Sequence, residues 1–143
     1  MGANGDIVSG IYQAFARGDV PAVLGTFDPG IVWNEAEGYR FAAGNPFLGP
    51  QVILENVFLP LVTQVDGFVV TPSNVIDGGD SVAVEGRYTG TVKATGMRLD
   101  AQFVHVYGMR DGKIVRFQQY SDTWQFAEVT GFMPQAAAQT ASA

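Results

Sequence analysis

Two side chains of this sequence can move a proton at neutral pH, and they lie far apart along the chain. His105 is the only histidine and stands in the segment "AQFVHVYGMRDGKIVRFQQYSD". An imidazole titrates close to neutral pH when nothing perturbs it, so it can act as a general acid or base. The alternative is a buried, neutral imidazole bonded to a backbone carbonyl or to a tyrosine. Both interpretations stay open at the level of sequence.

Glu35, in the string "WNEAEG", is the strongest carboxylate candidate. Burial among aromatic side chains would raise its pKa towards the working range of an enzyme. It could then be the base itself, or it could orient the imidazole of His105. The alternative is a solvated residue at the rim of a pocket, because Glu35 comes at the end of a predicted strand.

The composition argues against several classes of function. Fourteen acidic and eight basic residues give a formal net charge of −6, which opposes binding to nucleic acid or to an anionic membrane. Cysteine is absent and histidine occurs once, so we expect no disulfide, no metal site and no cofactor. No stretch is typical of a signal peptide or of a membrane-spanning helix, which favours a cytoplasmic protein.

Apolar periodicity predicts three helices in the first half of the chain. The first is expected to be capped by Asp6 and to end at Gly18, and the second to be capped by Asp19. A short strand through "IVWNE" follows the turn "DPG". The third helix begins at Pro50, and Pro60 should kink it because proline lacks a backbone donor.

From Gly67 onward the sequence changes to four strands joined by short turns, which predicts an antiparallel meander. Helices followed by such a sheet indicate an α+β fold. We therefore expect a curved, cone-shaped antiparallel sheet with three N-terminal helices over its concave face, enclosing a pocket. Residues 1–131 form this one domain, and 132–143 form a flexible C-terminal tail.

Several local strings resemble a known group of proteins. The helix break "RGD", the string "GRYTGTVKATG" and the string "HVYGMRDGKIVRFQQYSDT" are similar to the SnoaL-like branch of the nuclear transport factor 2-like superfamily. The likeness spans residues 6 to 130. Ketosteroid isomerases and polyketide cyclases belong to the same superfamily. The resemblance implies the cone fold and a homodimer packed through the outer face of the sheet.

The family patterns map onto this chain with substitutions. Ketosteroid isomerases imply a tyrosine on the first helix, where this chain has Ile11 with Tyr12 one residue further. They imply an aspartate base on the first strand, where this chain has Asn34 or Glu35. Polyketide cyclases imply an acid on the last strand near Gln119. His105 is then the proton-transfer group that remains, with Glu35 as its partner or as the base.

The resemblance also implies which side chains face the pocket. Alternation along each strand places one set on the concave face: Trp33, Glu35, Tyr88, Phe103, His105, Phe117 and Gln119. Phe58 joins them from the third helix. The aromatic residues would enclose a flat apolar ligand, while Tyr88 and Gln119 would donate hydrogen bonds to its oxygen. Gly86, on the same face, would leave room for that ligand.

Two functions follow from this arrangement. The first is a cofactor-independent isomerase, cyclase or lyase that shifts a proton next to a carbonyl of a small hydrophobic, aromatic or polyketide-like molecule. The second is a non-catalytic protein that binds or carries an apolar metabolite. The sequence alone does not separate the two.

Overall fold

One six-stranded sheet, packed against helices on one face, forms the fold. In a computed structural model, which describes residues 1–38 and 40–131, its strands are β1 (Phe27–Asn34), β2 (Phe47–Leu48), β3 (Val65–Asp77), β4 (Ser81–Val92), β5 (Arg98–Arg110) and β6 (Lys113–Ser121). The helices are α1 (Ala3–Ala16), α2 (Val20–Leu24), α3 (Pro50–Ile53), α4 (Leu59–Gln64) and α5 (Thr123–Thr130). The predicted tail over 132–143 lies outside the described residues.

The strand order is β2-β1-β6-β5-β4-β3, and β3 to β6 form the predicted antiparallel meander. β1 pairs in parallel with β6. Between β2 and β3 the chain therefore passes from one edge of the sheet to the other. The register sets His105 opposite Gln119 and Trp33 opposite Phe117. The prediction of an α+β fold is confirmed, and this register decides which side chains share the inner face.

Helix α1 begins earlier than predicted and takes its cap from a distant strand. It begins at Ala3, so Asp6 lies inside the first turn and does not cap it. The backbone N–H groups of Gly2 and Gly5 donate to Asp77 Oδ2 at 2.9 and 3.0 Å. The pKa of the Asp77 carboxyl is held below its ordinary value, chiefly by a hydrogen bond from the Gly79 N–H and also by those from Gly5 and Gly2. The expected local cap is replaced by a tertiary one that ties α1 to the end of β3.

Aspartates cap the two short helices at either end of the chain. Asp19 accepts from the Ala22 N–H at 3.2 Å, which confirms the predicted cap of α2. Asp122 accepts from the Gln125 N–H at 3.1 Å and begins α5. In the described part of the chain, no helix has the length and apolar character that crossing a bilayer requires.

The predicted third helix is broken into three pieces around Pro60. A π-helical turn (Leu54–Phe58) separates α3 from α4, and the Leu59 N–H donates to the Leu54 carbonyl five residues back. Because Pro60 has no backbone N–H, the regular pattern of α-helical hydrogen bonds is interrupted at this point. The disruption predicted at Pro60 takes the form of a π-helical turn, which is wider than an α-helical one. The buried residues Val57, Phe58 and Leu61 still face the sheet.

The prediction that Gly86 leaves room for a ligand is wrong. A Cβ atom at Gly86 would meet Phe103 Cζ and the Thr71 carbonyl oxygen, each at 2.4 Å. Gly86 pairs with Phe103 in the sheet, and the Phe103 ring lies across the space that a side chain would fill. The glycine therefore accommodates a core aromatic residue and not a substrate.

We expect Gly86→Ala to lower the free energy of unfolding by about 1–3 kcal/mol, because the added methyl group displaces Phe103 or backbone. Gly10→Ala is the matched control, since a Cβ at Gly10 in α1 meets nothing within 4 Å. That change should raise stability by about 0.5–1 kcal/mol. Urea unfolding measures both, and an unchanged midpoint for Gly86→Ala would contradict the packing described here.

Candidate functional site

A cavity of about 60 Å³ lies between the helices and the inner face of the sheet. Its wall contains every predicted site residue except Phe103. The lining residues are Ile11, Tyr12, Phe15, Val23, Phe27, Trp33, Glu35, Val57, Phe58, Leu61, Phe68, Val70, Tyr88, His105, Tyr107, Phe117 and Gln119. The structure thus brings Glu35 and His105, which are far apart in sequence, to one cavity.

Phe103 lies beside the cavity and packs against two residues of its wall, His105 and Tyr88. Its ring stacks on the imidazole of His105 with centroids 3.9 Å apart and planes at 15°. It also packs against Tyr88 at 4.5 Å. The residue shares the predicted face, but its place is to hold the imidazole plane in position.

Glu35 is a buried residue, and the alternative of a solvated rim position is wrong. It follows the last residue of β1, and only 2% of its surface is exposed. The side chain of Asn45 clamps its backbone in both directions, accepting from the Glu35 N–H at 2.9 Å and donating to the Glu35 carbonyl at 2.8 Å. The next N–H, from Ala36, donates to Gln119 Oε1 at 3.1 Å.

Burial raises the pKa of the Glu35 carboxyl from its ordinary 4.5 to about 8. The loss of solvent around the charged form is the largest cause, and the nearby Trp33 side chain lowers the pKa only in part. At neutral pH the carboxyl is therefore mostly protonated, and its carboxylate forms slightly above neutrality. Such a group can accept or deliver a proton under ordinary conditions.

His105 is held between two tyrosine hydroxyls. Its Nδ1 lies 2.7 Å from the Tyr12 hydroxyl, and its Nε2 makes a short hydrogen bond with the Tyr88 hydroxyl. The Tyr12 hydroxyl also bonds the Tyr107 hydroxyl at 2.8 Å. At the other end, Gln119 Nε2 donates to the Tyr88 hydroxyl at 2.8 Å. A continuous polar chain therefore runs across the inner face.

This chain of hydrogen bonds carries no net charge at neutral pH. Burial lowers the pKa of His105 to about 3, so the expectation that it titrates near neutrality does not hold in the folded protein. Burial also raises the pKa of Tyr12, Tyr88 and Tyr107, which keeps all three hydroxyls protonated. The imidazole is neutral and bonded to tyrosines, as the alternative interpretation of His105 described.

A neutral imidazole donates from one ring nitrogen and accepts at the other, so the chain has a direction. When Nδ1 donates to Tyr12, the Tyr88 hydroxyl donates to Nε2. In the opposite tautomer Nε2 donates to the Tyr88 hydroxyl oxygen, so the Tyr88 hydroxyl proton no longer points at the imidazole. The tautomer of His105 therefore decides where the Tyr88 proton points.

Trp33 packs closely against other aromatic side chains of the wall. Its indole stacks on Phe117 with centroids 3.6 Å apart and planes at 15°, and it meets the edge of Phe58 at 5.6 Å. Its Nε1 is buried and makes no hydrogen bond of ordinary geometry to any described residue. The Glu35 carboxyl is close enough for a hydrogen-bonding contact from Trp33 to lower its pKa, although this contact falls outside ordinary hydrogen-bond geometry.

Three residues that build the site were not predicted from the sequence. Tyr107 is two positions beyond His105 on the same strand, so alternation was a sufficient signal for it. Tyr12 lies on the apolar stripe of α1, and its hydroxyl reaches the imidazole although the residue is one position from the family tyrosine. Asn45 lies between the predicted first strand and the predicted third helix, and no local pattern marks its contact with Glu35.

The donors around the cavity do not form a metal site. Across residues 1–38 and 40–131, no group of three or more His, Cys, Asp or Glu side chains is arranged to hold a metal ion. Among the described residues of the wall, none is lysine or arginine. The chemistry of the lining is that of aromatic surface, neutral hydroxyls and one carboxyl group.

Comparison with solved structures gives relatives over nearly the whole chain. A nuclear transport factor 2-like protein from Burkholderia thailandensis is 33% identical with a TM-score of 0.85, covering 94% of this chain and 100% of that one. One of unknown function from Burkholderia pseudomallei is 25% identical with a TM-score of 0.82, covering 91% and 98%. TerC, co-crystallised with polyporic acid, is 28% identical with a TM-score of 0.80, covering 91% and 99%. No curated protein matches the chain.

The family comparison agrees with the fold and with the strings noted in the sequence. The SnoaL-like domain matches residues 8–117, which include most of α1, the strands β1 to β5, the first part of β6 and every residue of the cavity wall except Gln119. The chain therefore belongs to the SnoaL-like domain family.

Proposed function

We propose that this SnoaL-like protein is an acid–base enzyme that moves a proton next to a carbonyl group of a small, uncharged, mostly apolar molecule. Glu35 is the proton-transfer residue. The observation that carries this proposal is the position of the Glu35 carboxyl, which is buried at the end of an aromatic cavity with a pKa of about 8.

The surroundings of Glu35 favour a reactive role over a structural one. A carboxyl kept only for stability would be expected to bind donors, since an unpaired buried polar group costs about 1–3 kcal/mol. The protein instead anchors the backbone of Glu35 through Asn45 and the next N–H, that of Ala36, through Gln119, and it leaves the carboxyl in the cavity wall. A fixed backbone beneath a carboxyl in the cavity wall is what positioned acid–base catalysis requires.

His105 then serves as a neutral relay and positioning residue in place of an acid. Its pKa of about 3 excludes an imidazolium at neutral pH. It fixes the direction of the Tyr88 hydroxyl, and the charge of Glu35 raises the pKa of Tyr88, which indicates that the two groups are close. A proton shift along the imidazole would let Tyr88 respond when charge develops on a ligand.

The ligand class follows from the wall and from one relative. Aromatic side chains dominate the wall, so an apolar body is favoured. TerC was crystallised with the small molecule polyporic acid, which supports a small-molecule role for this chain. An isomerase, cyclase or lyase reaction fits the proposed chemistry, since each shifts a proton next to a carbonyl.

The second candidate is a non-catalytic carrier of an apolar metabolite. The observation that favours it is the saturation of the polar chain, in which His105, Tyr12 and Tyr107 bond one another. A carrier needs the apolar wall and does not need the reactive state of Glu35. The two candidates therefore differ in what happens when Glu35 is changed.

We also infer a homodimer that packs through the outer face of the sheet. Val69 and Tyr120 alternate with residues of the cavity wall and so point outward, with 48% and 58% of their surfaces exposed. Ile76 on β3 is also exposed, at 51%. Apolar side chains exposed on one sheet face favour association.

The dimer can be tested by light scattering after size exclusion. We expect twice the 15.3 kDa chain mass for the wild type. Tyr120→Lys should shift the population to monomer, because a charge would be buried in the contact. A monomeric wild type would remove the proposal, and Val62→Lys on α4 serves as the control, since it is exposed on a helix.

Stability should depend on pH with two opposite slopes. The folded pKa of His105, about 3, lies below its ordinary 6.5, so the free energy of unfolding should rise with pH between these values. The folded pKa of Glu35, about 8, lies above its ordinary 4.5, so that free energy should fall as pH rises through this range. The two effects largely cancel between pH 4.5 and 6.5, and the net result is a fall of about 1–2 kcal/mol between pH 6.5 and 9.

Glu35→Gln should abolish the fall above pH 6.5, because glutamine stays neutral. Urea unfolding at pH 6.5 and at pH 9 measures the difference. Glu37→Gln is the matched control, since Glu37 is exposed two residues further along. A fall that persists in Glu35→Gln would show that the carboxyl is not held protonated by burial.

Catalysis can be tested with 2-butanone as a compact ketone probe, by following deuterium uptake next to its carbonyl in D₂O by NMR. We expect the rate to rise with pH to a plateau above about pH 8, where Glu35 is a carboxylate. Glu35→Gln should lower the rate by about 10²–10⁴-fold, and Glu37→Gln should leave it unchanged.

Three results would count against catalysis by Glu35. A wild-type rate equal to buffer removes proton abstraction from compact ketones and leaves the carrier. A rate that falls as pH rises through 8 contradicts a carboxylate base. A change in the uptake rate centred near pH 6.5 that is lost in His105→Gln would assign the proton transfer to the imidazole.

A further inference from the structure

Trp33 lines this cavity, and only 5% of its surface is exposed. Its indole N–H makes no hydrogen bond of ordinary geometry to any described residue, although a weaker contact with Glu35 lowers the pKa of that carboxyl. A buried N–H without a partner lowers the free energy of unfolding by about 1–3 kcal/mol. This loss is offset when an acceptor binds the N–H. The indole N–H is a donor only, so its partner must be an acceptor atom.

The indole cannot turn away to find another partner. Phe117 covers one of its faces at 3.6 Å, and Phe27 and Phe58 pack against it at 5.4 and 5.6 Å. The direction of the N–H is therefore set by packing before any ligand arrives. A preorganised donor of this kind is worth more in an apolar site than a mobile one, because no reorganisation is needed.

Apart from the Glu35 carboxyl, the polar side chains of the wall have partners already. Gln119 uses its oxygen on the Ala36 N–H and its nitrogen on Tyr88, and His105 uses both ring nitrogens. The state of Trp33 does not depend on the tautomer of His105, since Trp33 is outside that chain. The predicted oxygen donors, Tyr88 and Gln119, thus hold each other, while the residue predicted only to stack is the free donor.

We propose that the Trp33 indole N–H binds the carbonyl oxygen of the ligand beside Glu35, and that this contact selects uncharged carbonyl compounds over hydrocarbons and carboxylates. This deepens the proposed function and rests on it. The N–H and the carboxyl lie at the same end of the cavity, so an oxygen held by Trp33 brings the neighbouring C–H bonds to Glu35.

The selection against anions follows from charge. No described residue of the wall is lysine or arginine, so a ligand carboxylate would be buried without a cation and beside Glu35. Such burial is costly for an unpaired charge. A hydrocarbon avoids this cost but leaves the Trp33 N–H unbonded. A neutral carbonyl satisfies the donor and brings no charge.

The size of the cavity adds a further restriction. Its volume of about 60 Å³ is well below the ~150 Å³ of an engineered apolar cavity that binds benzene. The ligand portion next to Trp33 and Glu35 is therefore compact, and a larger body requires aromatic side chains to move. Probes of a few non-hydrogen atoms suit the structure as it stands.

Three probes of one shape separate these effects: 2-butanone, 2-methyl-1-butene and propionate. The chain contains two tryptophans, so the ¹⁵N-labelled protein shows two indole N–H signals. Trp33→Phe identifies the buried one, and Trp124, which is 65% exposed, is the internal control. We expect 2-butanone to move the Trp33 signal downfield in a saturable manner and to leave that of Trp124 in place.

The alkene should move methyl signals of the cavity-wall residues Ile11 and Leu61 without shifting the Trp33 N–H, and propionate should move neither. Trp33→Phe keeps an aromatic ring on Phe117 and removes the donor. It should weaken 2-butanone binding about tenfold and leave alkene binding unchanged. Trp124→Phe should change neither affinity.

The outcomes distinguish this inference from the proposed function. If ketone and alkene move the cavity methyl signals alike and the Trp33 N–H stays in place, the oxygen site is overturned and the cavity remains a ligand site. If the ketone moves no cavity signal, both the oxygen site and the proposed ligand class are overturned. If Trp33 responds while deuterium uptake equals that of buffer, the oxygen site stands and the enzyme fails.

Discussion

The imidazole of His105 sits between two tyrosine hydroxyls, and the inner face of the protein is arranged around that contact. Tyr12 reaches it from α1 and Tyr88 from β4, so one ring on β5 joins the helical layer to two strands. Each of these polar atoms would cost about 1–3 kcal/mol if it were buried alone. The position of α1 over the sheet is therefore linked to the pairing of these groups.

The same cavity contains a second set of polar groups that follow the opposite rule. Trp33 and Glu35 lie near each other on the segment that ends β1. The Trp33 Nε1 makes no hydrogen bond of ordinary geometry within the described part of the chain, and its contact with Glu35 offsets the effect of burial on the pKa of that carboxyl only in part. The backbone at Glu35 and Ala36 is nevertheless held by Asn45 and Gln119. The polar groups around His105 are thus fully paired, while those around Glu35 are paired only weakly.

Close packing determines what this arrangement can accept. Phe103 fills the space above Gly86 and stacks on His105, and Trp33 stacks on Phe117, so the aromatic walls leave a small cavity. Protein interiors pack as densely as organic crystals, and a ring held on several sides does not shift freely. Ligand size and the direction of the polar contacts are thus coupled through the same aromatic residues.

Much of this protein follows from the order of its residues. Alternating strands joined by glycine-rich turns specify the meander, because side chains on a strand point to opposite faces with a period of two. That alternation also placed Trp33, Tyr88, His105 and Gln119 on the inner face. The caps of α2 and α5 are local, since an aspartate needs only the next few backbone N–H groups. These features depend on neighbours in the chain.

The tertiary structure alone decided the rest, because it concerns partners distant in sequence. Asp77 caps α1 across more than seventy positions, and Asn45 clamps Glu35 from a segment with no regular pattern. The chemistry of His105 and Glu35 depends on solvent and on nearby dipoles, so burial moved the pKa of one down and of the other up. Residue types identified the groups that can exchange protons, and packing determined the pKa of each.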